Sequence, residues 1–94
     1  MNVYSKDPSA VLDYQFDWSE WLAEDETIQT ATITISPSVA ETGLTAGTPA
    51  INSGVVTVWL SKGVDTVSYM VACKIVTNAN RVDERTMLVK CFNR

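Results

Sequence analysis

Few residues in this chain are able to carry chemistry, and their spacing is informative. Histidine is absent, which removes the commonest general base and the commonest metal ligand. Glu24-Asp25-Glu26 and Asp83-Glu84 are the carboxylate clusters. Such groups can bind calcium or act as an acid and base pair, but neither cluster has EF-hand spacing or an identifiable partner. Both read as solvated loop charges. Cys73 and Cys91 are too few and too far apart for a zinc cage and read as small buried hydrophobes. No serine sits in a GxSxG turn and no glycine-rich loop precedes a helix, so the usual hydrolase, kinase and dinucleotide constellations are excluded. The expectation is a protein with no catalytic residue, no cofactor and no metal.

The remaining candidate is aromatic. The stretch DYQFDWSEWL places Trp18 and Trp21 among acidic residues. Two exposed indoles beside carboxylates can stack a sugar ring and bind its hydroxyls. Two buried indoles close the end of a core. Packing is the expected reading and glycan binding the alternative.

Elements that position these residues follow from periodicity. Leu12, Tyr14, Phe16 and Trp18 alternate with Asp13, Gln15 and Asp17, giving a strand with one aromatic and one acidic face. In TIQTATITIS, Ala31, Ile33 and Ile35 alternate with threonines, and so many β-branched residues disfavour helix. Pro37, Gly43, Gly47 and Pro49 break the next segment into loops around one or two short strands. VVTVWL from Val55 is a strand, Ser61-Lys62-Gly63 turns it, and Thr66 to Thr77 pairs with Glu84 to Phe92 across a polar turn centred near Asn80 and Arg81. Ser19 is placed to cap a single helical turn in SEWLAED. The pattern predicts an all-β fold, an immunoglobulin-like antiparallel β-sandwich of about seven strands. Residues 1–10 read as an N-terminal arm and 11–94 as one sandwich domain. Tyr69 stands where such folds place a tyrosine corner. The same register keeps Cys73 and Cys91 apart as reduced thiols.

Composition narrows the partners. A 46% hydrophobic content with 19% charged residues argues for a packed domain. A net charge of −4 repels phosphate backbones and anionic lipid, so neither nucleic acid nor membrane is an expected partner. Lys6, Asp7 and Pro8 interrupt any signal-peptide core, and the product is expected to stay in the cytoplasm.

The outward faces suggest what the chain does. With Tyr69, Val71, Cys73 and Ile75 inward, Met70, Ala72 and Val76 point outward, and on the next strand Leu88 and Phe92 flank Lys90 on the matching face. Trp59 opposes Val56, Val58 and Leu60, so one of those faces also lies outside the core. Outer apolar surface marks docking. The candidate interface is therefore Trp59, Met70, Ala72, Val76, Leu88, Lys90 and Phe92, while Trp18, Trp21 and Tyr69 are core or end-plug residues.

Several segments also carry a resemblance. Asp7-Pro8, Val11-Leu12-Asp13-Tyr14, Asp17-Trp18, Trp21-Leu22 and Thr27-Ile28, with TVWLSKG from Thr57, YMVACKIVT from Tyr69 and RVDERTMLV from Arg81, resemble small tailed-phage and prophage virion proteins described as fibre-tail adaptors. Residues 37–52 match this pattern poorly. The resemblance implies a compact β domain in a virion, without enzymatic activity or cofactor, docking other virion structural proteins or further copies of itself. Head, neck, tail and fibre positions are all compatible with it. A glycan-binding or adhesive module of a host-recognition fibre is the alternative function, and a carboxylate hydrolase stands behind both.

Overall fold

Alternation translates directly into burial. In the computed structural model, which describes residues 2–36 and 43–92, Tyr69, Val71, Cys73 and Ile75 are fully buried while Met70 and Lys74 between them face solvent. The strands are β1 (Asn2–Lys6), β2 (Leu12–Asp17), β3 (Ile28–Ser36), β4 (Thr45–Ala46), β5 (Ala50–Asn52), β6 (Val55–Ser61), β7 (Ser68–Thr77) and β8 (Val82–Cys91). One sheet has the order β1-β8-β7-β3; the other has β2-β6-β4, with β5 also on β6. Their inner faces meet in a core of Tyr14, Phe16 and Trp18, Val56, Val58 and Leu60, the β7 residues above, and Met87, Val89 and Cys91.

Thr45 pairs with Ser61 and Ala50 with Thr57, one residue out of step. β4 and β5 are thus one strand interrupted by a bulge around Gly47. Lettered A to G on that basis, the strands give B-E-D in one sheet and G-F-C in the other, the immunoglobulin-like arrangement. The first strand lies beside G rather than beside B. β1 runs parallel to β8, with Val3 opposite Leu88 and Lys6 opposite Cys91.

That strand is drawn from the N-terminal arm, where periodicity gives no sign of it. Its anchors are tertiary. Tyr4 packs edge-on against Tyr14 of the other sheet at 5.1 Å. The buried Lys6 ammonium donates to the carbonyls of Lys62 at 2.7 Å and Asp7 at 2.9 Å. Burial draws its pKa below the ordinary lysine value, with Cys91 and Asp7 pulling it back up.

The β7–β8 hairpin has a different register from the one expected. Cys73 faces Arg85, and the three-residue loop 78–80 centres on Ala79 rather than near Asn80 and Arg81. Asn80 takes a positive φ of 62°, its N–H bonds the Thr77 carbonyl, and the Thr77 N–H bonds the Arg81 carbonyl. This is a type I turn closed by a left-handed residue, a loop whose asymmetry moves the register. The cysteines still lie far apart along the hairpin, and both are free and buried. Burial pushes the Cys73 thiol up to about 11. The thiol is therefore a packing group, not a nucleophile.

Two further local expectations are corrected. Leu12 shares the inward parity of Tyr14 but remains 41% exposed, because it opens an edge strand at the rim. Ser19 is not the cap of the following turn. Asp17 takes that role, accepting the Ser19 N–H at 2.9 Å and hydroxyl at 2.6 Å, while the Trp21 and Leu22 N–H groups bond the Trp18 carbonyl. The Asp7-Pro8-Ser9 turn after β1 repeats the motif, with Ser9 donating twice to Asp7.

Candidate functional site

The aromatic end of the sandwich is an alternating stack. Trp18 is completely buried and meets the half-buried Trp21 edge-on at 5.6 Å. The Arg85 guanidinium lies 4.1 Å over the Trp18 ring and donates to the Asp17 carbonyl at 2.6 Å. The Arg81 guanidinium lies 4.0 Å over Trp21 and donates to its carbonyl at 3.3 Å. Each indole is thus covered by a cation, and the pair does not present two open faces to a sugar.

Arg81 leads to a polar centre that sequence reading missed. Glu26, within the acidic run read as solvated, is buried and forms a two-pronged ion pair with Arg81, whose Nε donates at 2.9 Å. The Thr77 hydroxyl and the Ala23 N–H complete the carboxylate's partners, at 2.6 Å and 2.9 Å. Asn78 ties the same corner to Thr27 through its backbone N–H and its side-chain oxygen. No local pattern marks Glu26, since the side chains that bond it, Thr77 and Arg81, lie more than fifty residues away.

These bonds, Arg81 first, hold the Glu26 carboxyl down at about 2. That is below an unfolded value of about 4.3. The stabilisation is therefore complete above the unfolded value and is lost as the pH falls through the folded one. Thermal melts of the native chain should drop steeply between about pH 5 and pH 2. Glu26→Gln should melt lower at neutral pH and converge with the native chain in acid. Parallel acid limbs would exclude Glu26 as the responsible group.

Asp17 borders an open groove of about 580 Å³ between β2 and β8, but its hydrogen bonds from Ser19 hold its pKa below the ordinary value. Among the described residues no group of three or more His, Cys, Asp or Glu is placed to hold a metal ion.

The outward-facing candidates divide into separate surfaces. Val3, Leu88 and Met70 form one row across β1, β8 and β7, with Ala72 and Thr86 in the neighbouring cross-strand pair. Val3 is 55% and Met70 37% exposed. Lys90 lies in the row on the other side, between Ser5 and Ser68, and the exposed Phe92 follows it, bonded through its N–H to the Lys6 carbonyl. Val76 pairs with Val82 at the far end, separated from this group by the Lys74 and Glu84 pair. Trp59, 53% exposed, projects from the outer face of the opposite sheet, beside Asp13. Tyr69 is fully buried, its hydroxyl accepting the Val64 N–H at 3.0 Å across the β6–β7 corner. That is the geometry of a tyrosine corner.

No curated protein matches the chain. Residues 6–90 match the family model of the podophage GP4 fiber-tail adaptor protein gp77. That range runs from the buried Lys6 at the end of β1 to Lys90 near the end of β8, so it takes in both sheets and the polar corner between them. The chain therefore belongs to this family of phage structural adaptors.

Proposed function

We propose that the chain is a non-enzymatic assembly module of a tailed-phage virion, and that it docks another virion structural protein through the outer face of the β1-β8-β7-β3 sheet. The observation that carries this reading is the row Val3, Leu88 and Met70, with Ala72 beside it. Its apolar groups turn away from a core that the opposite face of the same strands already fills. Lys90 at the border supplies a charged rim, as docking surfaces with an apolar centre usually have. Synthesis in the host cytoplasm followed by incorporation into the particle accords with this role.

Leu88→Glu tests it. The side chain points away from the core, so the isolated domain should melt close to the native chain. A carboxylate in the centre of a desolvated patch should abolish incorporation into particles. A mutant that folds and is incorporated at the native level removes this patch from the interface.

A further inference from the structure

Among the described residues the sandwich has four edges, and three of them carry devices that discourage pairing with another chain. β1 has five residues and turns Lys6 inward. β2 has six and carries the exposed Asp13 and Asp17. β4 and β5 are two and three residues long, separated by Gly47-Thr48-Pro49. Short strands, inward lysine, edge charges, bulges and proline are the usual means of blunting an edge. From Thr30 to Ser36, β3 has none of them. It is nine residues long, and after the irregularity between Ile28 and Thr30 it reads TATITIS from Thr30 to Ser36, without charge, glycine or proline. Among the described residues it pairs only with β7. An uncharged, β-branched, unpaired run of this length is a template for strand addition.

We propose that β3 pairs with β3 of a second copy of this chain, antiparallel, about a two-fold axis at Ile33. The run is its own complement. In that register Thr30 faces the partner's Ser36, Ala31 the partner's Ile35, and Thr32 the partner's Thr34, while Ile33 meets its own counterpart. Hydroxyl therefore meets hydroxyl on the outer face and aliphatic meets aliphatic on the inner one, the pairings that stabilise antiparallel strands. A two-fold axis requires such self-complementarity, whereas a foreign strand would not. Joining the two four-stranded sheets through β3 makes one continuous sheet and removes the unprotected edge of each copy. This edge is distinct from the Leu88 face, so the dimer goes beyond the docking role proposed above and stands or falls separately from it.

Sedimentation velocity of the full chain provides the test, with thermal melts to confirm folding. The native chain and Leu88→Glu should both sediment as dimers. Thr32→Lys with Thr34→Lys puts lysine opposite lysine at two symmetric pairs and should weaken the dimer on the order of tenfold or more, with the melt of the separated domain preserved. The matching double glutamate variant should also be monomeric. An equimolar mixture of the two should restore a mixed dimer. A native chain that remains monomeric, a double-lysine variant that still dimerises as tightly, or a dimer lost in Leu88→Glu overturns the proposal. So does a β3 edge that pairs only with a strand from a different virion protein.

Discussion

Trp18→Ala should leave the chain largely unfolded or aggregated. The side chain is fully buried between the two sheets, and its ring supports both the edge of Trp21 and the plane of Arg85. Its backbone also organises the corner: the N–H bonds the Gly54 carbonyl at 2.9 Å, and the carbonyl receives Trp21 and Leu22. Truncating a buried tryptophan costs about 3–5 kcal/mol, against a total stability of about 5–15 kcal/mol for a domain of this kind. Trp21→Ala should be milder, because that ring is only half-buried, and its loss leaves Arg81 paired with Glu26. Thermal melts of the two variants check the order. If both melt like the native chain while attachment to a glycan or a virion partner is lost, the tryptophans form a binding site and the plug is refuted.

Gly63→Ala should be the other severe substitution. Gly63 has a φ of 109°, a conformation L side chains rarely adopt, and an added Cβ would lie 2.6 Å from the Cys91 sulfur. Backbone strain of about 1–3 kcal/mol adds to an overpacking cost of about 1–3 kcal/mol. A melting temperature lower by roughly 10 °C or more follows for a domain of this size. The position matters because several links converge on this corner. The Lys62 carbonyl receives the buried Lys6 ammonium, and the Val64 N–H binds the Tyr69 hydroxyl. Removing the obstructing sulfur separates the two causes. Cys91→Ala combined with Gly63→Ala should melt above the value expected from adding the two single effects, because the clash disappears while the strained φ persists. Strict additivity would leave backbone strain as the sole cause.

Legibility in the sequence followed a consistent division. Period-two alternation was enough to separate the two faces of β2, β6, β7 and β8. Side chains on a strand point alternately to its two sides whatever the strand pairs with, so Val71 and Cys73 were inward and Met70 and Leu88 outward before any partner was known. The tyrosine corner was equally readable, because its hydrogen bond spans only five residues. The β5–β6 hairpin was less so. Its Ser53-Gly54 turn has φ values of 49° and 81°, a type I′ geometry, yet the short strands beside it are outlined only by their pairing with β6.

What the chain determined by itself is therefore its strand faces, its all-β class and the uncharged run from Thr30 to Ser36. What only the tertiary structure decided is which faces and groups come together. The exposed Trp59 and the Leu88 row belong to different sheets, so the candidate residues form surfaces on opposite sides of the sandwich. Lys6 becomes a buried staple only because β1 joins β8 and brings its ammonium to the β6–β7 corner. Glu26 becomes a buried anion only because the β7–β8 turn delivers Arg81 and Thr77 to it. The physical reason is the range of the forces involved. Alternation is a property of local backbone geometry, whereas desolvating a charge is tolerated only when distant partners arrive together, and the arrival is settled by the packing of the whole sandwich.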